Sequence, residues 1–330
     1  MKYSKTNHSE KYSFEIGPIR PPNEGGERSL LIRPTRNCSW NRCAFCPFYD
    51  GKRFQIRDVD EIKEDIDTIK RIKDMVIENS GEINKVSFNC RTVVSRWVQG
   101  GEKTAFLQDS NSLIMPTNRL VEVLDYLLDT FPSLERITSY ARSDTIAKKD
   151  LGDLKKTRDA GLNRLHVGLE SGNDKVLDLV NKGVTAEEHI EAGRKAKEAG
   201  FELSEYVMPG LGGKKLSEEH ALHTAKVLNQ IDPDYIRMRP LSVYPNTELN
   251  EKIERGEFQL NSPSERLKEI KIMVQELEVS SKICFDHNWN SWKDENGNLL
   301  FDMDYEGYEL PERREEILRL IEDGLKVERS

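Results

Sequence analysis

Cys38, Cys43 and Cys46 fall within nine residues, in the run Asn37-Cys38-Ser39-Trp40-Asn41-Arg42-Cys43-Ala44-Phe45-Cys46-Pro47. The spacing is C-x4-C-x2-C. Thiolates are soft ligands, and three on one short loop can bind a single soft metal centre. Two kinds of centre compete. Structural zinc takes four protein ligands, usually as two pairs, and the nearest histidine to this run is His8, in the polar N-terminal stretch. A cubane [4Fe-4S] cluster held by three cysteines leaves one iron open to a small molecule. Three unliganded thiols are the third reading, and they would stand open to oxidation. The other two cysteines, Cys90 and Cys284, lie apart, and a buried or idle thiol is the simpler reading of each. An odd total of five, with no apolar signal core in the first 30 residues, argues against a disulfide framework and for a reducing cytoplasm.

The elements that must hold this loop follow from periodicity. Leu30–Pro34 reads as a short buried strand, and the cysteine run opens at its C-terminal end, where barrel enzymes build their sites. Residues 58–79 read as a helix, with Val59, Ile62, Ile66, Ile69, Ile72 and Val76 forming one stripe. Strands are expected at 104–108, 136–141, 164–170, 202–208 and 235–241. Helices are expected at 118–131, from about 142 to 160, at 186–199 and at 217–230. Cys90 falls in a long connection between the first helix and the second strand. This strand-helix rhythm predicts a parallel α/β fold, and six units predict an open, partial barrel or a doubly wound sheet. Beyond residue 250 the rhythm changes. A helix at 263–279, a Trp-, Asn- and Asp-rich stretch at 286–306 and a helix at 312–326 form a C-terminal extension of helices and strand. The expected organisation is an arm at 1–28, a core at 29–250 and the extension at 251–330.

Strand faces carry a further signal. In 164–170, Arg164, His166, Gly168 and Glu170 alternate with Leu165, Val167 and Leu169. A helix-covered parallel sheet is apolar on both faces, so a polar face points to a wet or ligand-filled interior. Arg237 and Arg239, and Thr138, Tyr140 and Arg142, repeat the pattern. The inner arginines suit carboxylate or phosphate groups. The formal charge of −8 gives no global attraction to nucleic acid. No apolar run approaches the roughly 18 residues a membrane helix needs.

With these residues in place, the sequence resembles the radical S-adenosylmethionine (SAM) enzymes, whose common motif is C-x3-C-x2-C. This chain has one residue more in the first gap, while the last gap and its aromatic Phe45 match. The resemblance spans roughly 29–325 and is closest to the branch of oxygen-independent coproporphyrinogen III oxidase and the Elongator-type enzymes. Gly168-Leu169-Glu170-Ser171-Gly172, Ser139-Tyr140-Ala141-Arg142, Gly210-Leu211-Gly212-Gly213 and Tyr244-Pro245-Asn246-Thr247-Glu248-Leu249 are similar to its strand-end motifs. The resemblance implies a partial (β/α)6 barrel and a [4Fe-4S] cluster on Cys38, Cys43 and Cys46. It implies SAM contacts from Phe45, Tyr140, Arg142, Glu170, Gly210 and Gly212. Relatives often hold the SAM amino group with Gly-Gly-Glu after the second strand. Here Gly100-Gly101-Glu102 precedes that strand, so the role goes to Asp109, with Ser110 and Asn111 as helpers. The implied activity is reductive cleavage of SAM to a 5'-deoxyadenosyl radical that abstracts hydrogen from a substrate, a small molecule by expectation. A flavodoxin or ferredoxin is the implied reductant. The single cysteine cluster weighs against methylthiotransfer. A non-catalytic iron-sulfur protein for electron transfer or cluster delivery is the alternative, and a structural zinc protein a third.

Other residues have plainer readings. His220 and His223 read as surface histidines, and Arg313-Arg314-Glu315-Glu316 as a solvated helix face. His287 beside Asp286 reads equally as an acid-base pair or a turn. Trp289 and Trp292 read as buried lid residues or as a stacking surface for a flat substrate.

Overall fold

Along the chain, short apolar strands alternate with amphipathic helices. First come β1 (Leu30–Ile32), β2 (Thr35–Arg36), β3 (Gln55–Ile56), α1 (Val59–Ile77), α2 (Phe88–Gln99), β4 (Thr104–Leu107), α3 (Thr117–Thr130) and β5 (Arg136–Ala141). Next are α4 (Ser143–Lys148), α5 (Leu151–Asp159), β6 (Leu162–Glu170), α6 (Asp174–Leu179), α7 (Ala186–Glu198), β7 (Glu202–Val207), α8 (Gly213–Ile231) and β8 (Tyr235–Met238). Last are α9 (Glu248–Glu254), α10 (Pro263–Glu276), β9 (Lys282–Cys284), β10 (Tyr308–Glu309) and α11 (Arg314–Val327). The computed structural model describes residues 11–22 and 28–327. Much of the expected arm, with His8 and the Gly25-Gly26 pair, lies outside the described residues.

The chain divides into two compact units. One comprises residues 1–39, 52–141 and 152–164, the other 40–51, 142–151 and 165–330. In the first, β4 pairs in parallel with β1 (Leu31 opposite Phe106) and with β5 (Phe106 opposite Thr138). Ile62, Ile66, Ile69 and Ile72 of α1 and Leu120, Val123, Leu124 and Leu127 of α3 are buried. The four- and three-residue steps of these stripes are what one helix face requires.

The long connection expected around Cys90 is instead the helix α2. Ser87 caps it, accepting the Cys90 N–H. Cys90, Val94 and Trp97 form its buried stripe, and Trp97 packs edge-on against Phe131 at 5.0 Å. Cys90 is a packing residue whose Sγ lies 3.3 Å from the Phe14 nitrogen.

In the second unit β8 pairs in parallel with β7 (Tyr206 opposite Arg237) and with β9 (Arg237 opposite Cys284). β10 closes antiparallel on β9. Helix α10 packs on α8 and α11. The α/β class with parallel strands is therefore what the chain forms. The differences are local. α6 and α9 were not anticipated, being only six and seven residues long. β8 ends at Met238 rather than 241 because Pro240, just beyond it, has no N–H for a ladder. No helix is long and apolar enough to cross a membrane among the described residues.

Candidate active site

The start of the cysteine loop is held in the first unit. Asn37 has φ 69°, in the left-handed region that Asn tolerates. Its N–H donates to Asp109 Oδ2 at 2.9 Å, and Ser110 Oγ donates to its carbonyl at 3.2 Å. Asn111 Nδ2 donates to Ser39 Oγ at 3.1 Å. The trio expected at the SAM amino group therefore grips both neighbours of Cys38. Asp109 is fully buried. Its Oδ2 also accepts from Arg33 Nε at 3.0 Å and Nη2 at 2.6 Å. Its Oδ1 has no partner, and a Cβ on Gly17 would stand 2.1 Å from it. Glu15 binds Arg33 at 2.7 Å and Arg36 at 2.6 Å. Burial pushes the Glu15 carboxyl up, but Arg36, Arg57 and Arg33 outweigh it and hold it below the ordinary value. Tyr140, half-buried, stands edge-on to Phe106 at 5.2 Å. Gly100-Gly101-Glu102 closes the end of α2, where Glu102 pairs with Lys73 at 2.7 Å.

The rest of the loop is held in the second unit. Ala44 N–H donates to the Val180 carbonyl at 2.8 Å, and Leu249 N–H donates to the Ala44 carbonyl at 2.9 Å. Ala44 is buried with Val176, Leu211 and Phe258, and Phe45 packs against that core. Trp40 Nε1 donates to the Asn181 carbonyl at 2.8 Å. Its ring lies on Gly183, where a Cβ would meet Trp40 Cζ2 at 2.1 Å. The guanidiniums of Arg42 and Arg142 stand 5.2 and 5.3 Å from the indole. Arg142 also donates to the Lys182 carbonyl at 3.1 Å.

Glu170, at the end of β6, has φ 62° and binds Lys182 Nζ at 3.0 Å. Beside this pair is Glu205, which is buried and whose Oε2 has no partner. Burial drives its pKa well above the ordinary value, Lys182 opposes and Glu170 adds to the rise. Glu205 therefore holds a proton well above the usual carboxylate range.

The glycine loop after β7 is tied down from α10. Glu269 Oε1 accepts the Gly210 N–H at 2.7 Å and lies 2.9 Å from His220 Nδ1, and its Oε2 accepts from Ser217. His220, expected at the surface, is fully buried. Its Nε2 is 3.2 Å from the Glu170 carbonyl. His223 is exposed. A Cβ at Gly212 would meet the Leu216 carbonyl oxygen at 2.9 Å, so this turn tolerates only backbone at that point.

Where β8 and β9 end, Arg237 Nη1 binds Asp286 Oδ2 at 3.1 Å and Arg239 Nη1 binds Oδ1 at 3.0 Å. Burial raises the Asp286 pKa, the two guanidiniums outweigh it, and the carboxyl ends below its ordinary value. Asp286 is thus committed to arginines. His287 turns instead to Trp289, 4.7 Å away. Burial and Arg239 push its pKa down to about 4, against Asp286, so it is neutral at pH 7. Burial pushes the Cys284 thiol up to about 12, which keeps it from acting as a thiolate.

Cys38, Cys43 and Cys46 are partly exposed, whereas Cys90 and Cys284 are buried. Among the described residues no group of three or more His, Cys, Asp or Glu is gathered in a metal-holding arrangement. The ligand set therefore rests on donor type, spacing and exposure. These fit a soft cluster. The orphaned Asp109 Oδ1 faces Gly17, and the Gly212 turn packs on Leu216 of α8. Sequence reasoning missed Glu205, Glu269 and Trp40. Glu205 shares a strand face with Leu203 and Val207, and Glu269 lies among Leu267, Ile270 and Met273, so both stand on faces that periodicity marks as buried.

Residues 97–225 match the family model of the Radical SAM superfamily. Over that span the chain is similar to radical SAM domains. The matched span includes Asp109, Tyr140, Arg142, Glu170 and Gly210, and begins after the cysteine run. Enzymes of this superfamily use a [4Fe-4S] cluster and SAM. The tRNA uridine(34) acetyltransferase of Methanocaldococcus infernus is 29% identical over 118 residues, 36% of this chain and 22% of that protein. The heme chaperone HemW of Bacillus subtilis is 24% identical over 185 residues, 56% and 46% of the two chains. This chain thus spans less than half the length of either relative. The solved structure of M. infernus Elp3 with an N-terminal deletion aligns at a TM-score of 0.48 and 18% identity, covering 70% of this chain and 57% of the other.

Proposed function

We propose that Cys38, Cys43 and Cys46 hold a [4Fe-4S] cluster and that the chain cleaves SAM reductively to act on a small-molecule substrate. The observation that carries this reading is the pairing of three partly exposed thiols with a loop whose Asp109, Ser110 and Asn111 bind the residues on either side of Cys38. A cluster held by these three cysteines would supply the one-electron chemistry for reductive cleavage of SAM and hydrogen abstraction from substrate.

The chain's own residues supply position and charge. Asp109 orients the start of the loop through Oδ2, and the SAM ammonium would be held there with Ser110 and Asn111. Gly210 and Gly212 present backbone to the adenine, and Phe45 and Tyr140 present rings. Arg142 and the Glu170–Lys182 pair supply charge at the strand ends. A flavodoxin- or ferredoxin-type donor is the proposed reductant. The tRNA named in some relatives is not carried over, because a formal charge of −8 gives no general attraction for a phosphate backbone.

The test is anaerobic reconstitution with iron and sulfide, followed by dithionite and SAM, with 5'-deoxyadenosine measured by chromatography. The expected result is product from the parent protein and none from Cys43→Ala. A brown cluster without product would favour the electron-transfer alternative. A colourless protein with zinc bound would overturn the assignment.

A further inference from the structure

Helix α10, from the segment beyond residue 250, reaches the turns that follow β6 and β7. Gly210 has φ 91°, and two side chains of α10 meet it. A Cβ there would stand 2.9 Å from Arg266 Cδ, and Glu269 Oε1 accepts the Gly210 N–H at 2.7 Å. Arg266 and Glu269 are three residues apart, so they share one face of the helix. Arg266 Nη1 also donates to the Leu241 carbonyl at 3.3 Å, and the Leu241 N–H donates to the Pro209 carbonyl at 2.9 Å.

From Glu269 the bonds continue to the other turn. Its Oε1 lies 2.9 Å from His220 Nδ1, and His220 Nε2 lies 3.2 Å from the Glu170 carbonyl. A carbonyl oxygen only accepts, so Nε2 is the nitrogen that donates to it. The same carbonyl accepts the Met208 N–H at 3.0 Å. Glu269 Oε2 accepts from Ser217, whose Oγ accepts from Asn261 Nδ2 at 3.0 Å. One chain of bonds thus joins the Glu170 turn, where φ is 62°, to the glycine turn. Simple packing does not call for it. The side chains of His220 and Glu269 are 0% exposed, and the other buried residues of α10, Leu267, Ile270, Met273 and Val274, are apolar. A carboxylate taken out of water is costly unless its oxygens are filled, and the groups that fill this one belong to the two turns and to α8 between them.

We propose that Glu269 and His220 are positioning residues of the SAM subsite. They act through the backbone they hold, fixing the Gly210–Gly212 turn and the Glu170 turn relative to each other, so that SAM meets a surface formed in advance. The inference rests on the enzyme reading above and adds to that site two residues from outside its strand-end motifs.

Two measurements on the full chain test this. The first needs neither cluster nor SAM: amide hydrogen exchange, read by mass spectrometry over 208–213, with α7 as internal reference. Glu269→Leu removes the acceptors at similar volume and should speed exchange at 208–213 roughly tenfold, the order of one hydrogen bond to a charged group, with α7 unchanged. Glu269→Gln keeps one acceptor oxygen for Gly210 and should recover most of the protection. The second uses the reconstituted protein with dithionite and varies SAM. Glu269→Leu should raise the KM for SAM roughly tenfold and leave kcat for 5'-deoxyadenosine within about twofold, the pattern of lost binding rather than lost chemistry. Leu222→Ala, an exposed site on α8, should change neither. A merely structural role would lower the amount of working enzyme, and so kcat, at unchanged KM. Should Glu269→Leu fail to fold, Glu269→Gln carries the test, with a KM raised about threefold. The proposal is overturned if exchange at 208–213 matches the parent, if α7 loosens equally, or if the KM for SAM does not move. If the parent itself forms no 5'-deoxyadenosine, the enzyme reading falls and the SAM role of both residues with it. If the parent forms it and the variants differ in none of these readouts, the positioning role alone falls.

Discussion

The two ends of the cysteine loop are secured by different physics. Around Cys38 the holding groups are charged: Asp109, Arg33, Glu15 and Arg36, linked at 2.6–2.9 Å. Around Cys43 and Cys46 they are backbone hydrogen bonds and packing: Ala44 with Val180 and Leu249, and Trp40 on Gly183. A charged anchor is directional and titrates. A packed anchor is set by shape and does not. A loop that must stay registered while a soft cluster and a cationic cofactor come and go gains from having both.

Four substitutions separate the two anchors, in falling order of effect. Asp109→Ala takes from Arg33, only 5% exposed, its fully buried partner and leaves it Glu15. Removing one member of a buried pair costs about 3–5 kcal/mol, and denaturant unfolding should show a loss in that range. Gly183→Ala sets a methyl against Trp40 at a position with φ 72°. Overpacking of this kind costs about 1–3 kcal/mol. The diagnostic readout is a fall in iron and sulfide retained after reconstitution, with Trp40→Ala in the Gly183→Ala background recovering part of it.

Glu15→Gln tests the titrating anchor. The folded Glu15 carboxyl lies below its ordinary value of 4.5, so its contribution is present above that value and is lost as pH falls through the folded one. The stability difference between parent and variant, about 1–2 kcal/mol for charge-assisted hydrogen bonds, should hold steady from pH 5 to 8 and shrink below about pH 4.5. A flat difference down to pH 3 would remove Glu15 from the anchor. Glu205→Gln is the smallest. The Glu205 pKa is raised, so its favourable protonated form is fully present below 4.5 and its contribution is lost as pH rises through the folded value. Glutamine keeps that neutral shape. The variant should lie within about 0.5 kcal/mol of the parent below about pH 4.5 and become the more stable one as pH rises above it. A variant that loses stability throughout would show that Glu205 is ionised.

The fold was legible where one local period dominates. The α1 stripe of isoleucines, the alternation in β6 and the cysteine spacing all lie within a few residues of one another. What stayed hidden depends on distant partners. Trp40 meets a carbonyl 141 residues away, and nothing near Gly183 in sequence announces an indole. His220 is buried only because Glu269, 49 residues on, supplies an acceptor. Cys90 was misplaced because its stripe in α2 is only three residues long and the β-branched Thr92, Val93 and Val94 weaken the helix signal. The trio 109–111 was legible as a site but not as the grip on Cys38, since Asp109 is placed by Arg33, 76 residues before it.

The most direct measurement is electron paramagnetic resonance of the dithionite-reduced, reconstituted protein, with and without SAM, alongside iron and sulfide analysis. The account predicts about four iron and four sulfide per chain and a cluster signal that changes on adding SAM and disappears in Cys38→Ala. A signal indifferent to SAM, or full iron content in Cys38→Ala, would contradict it.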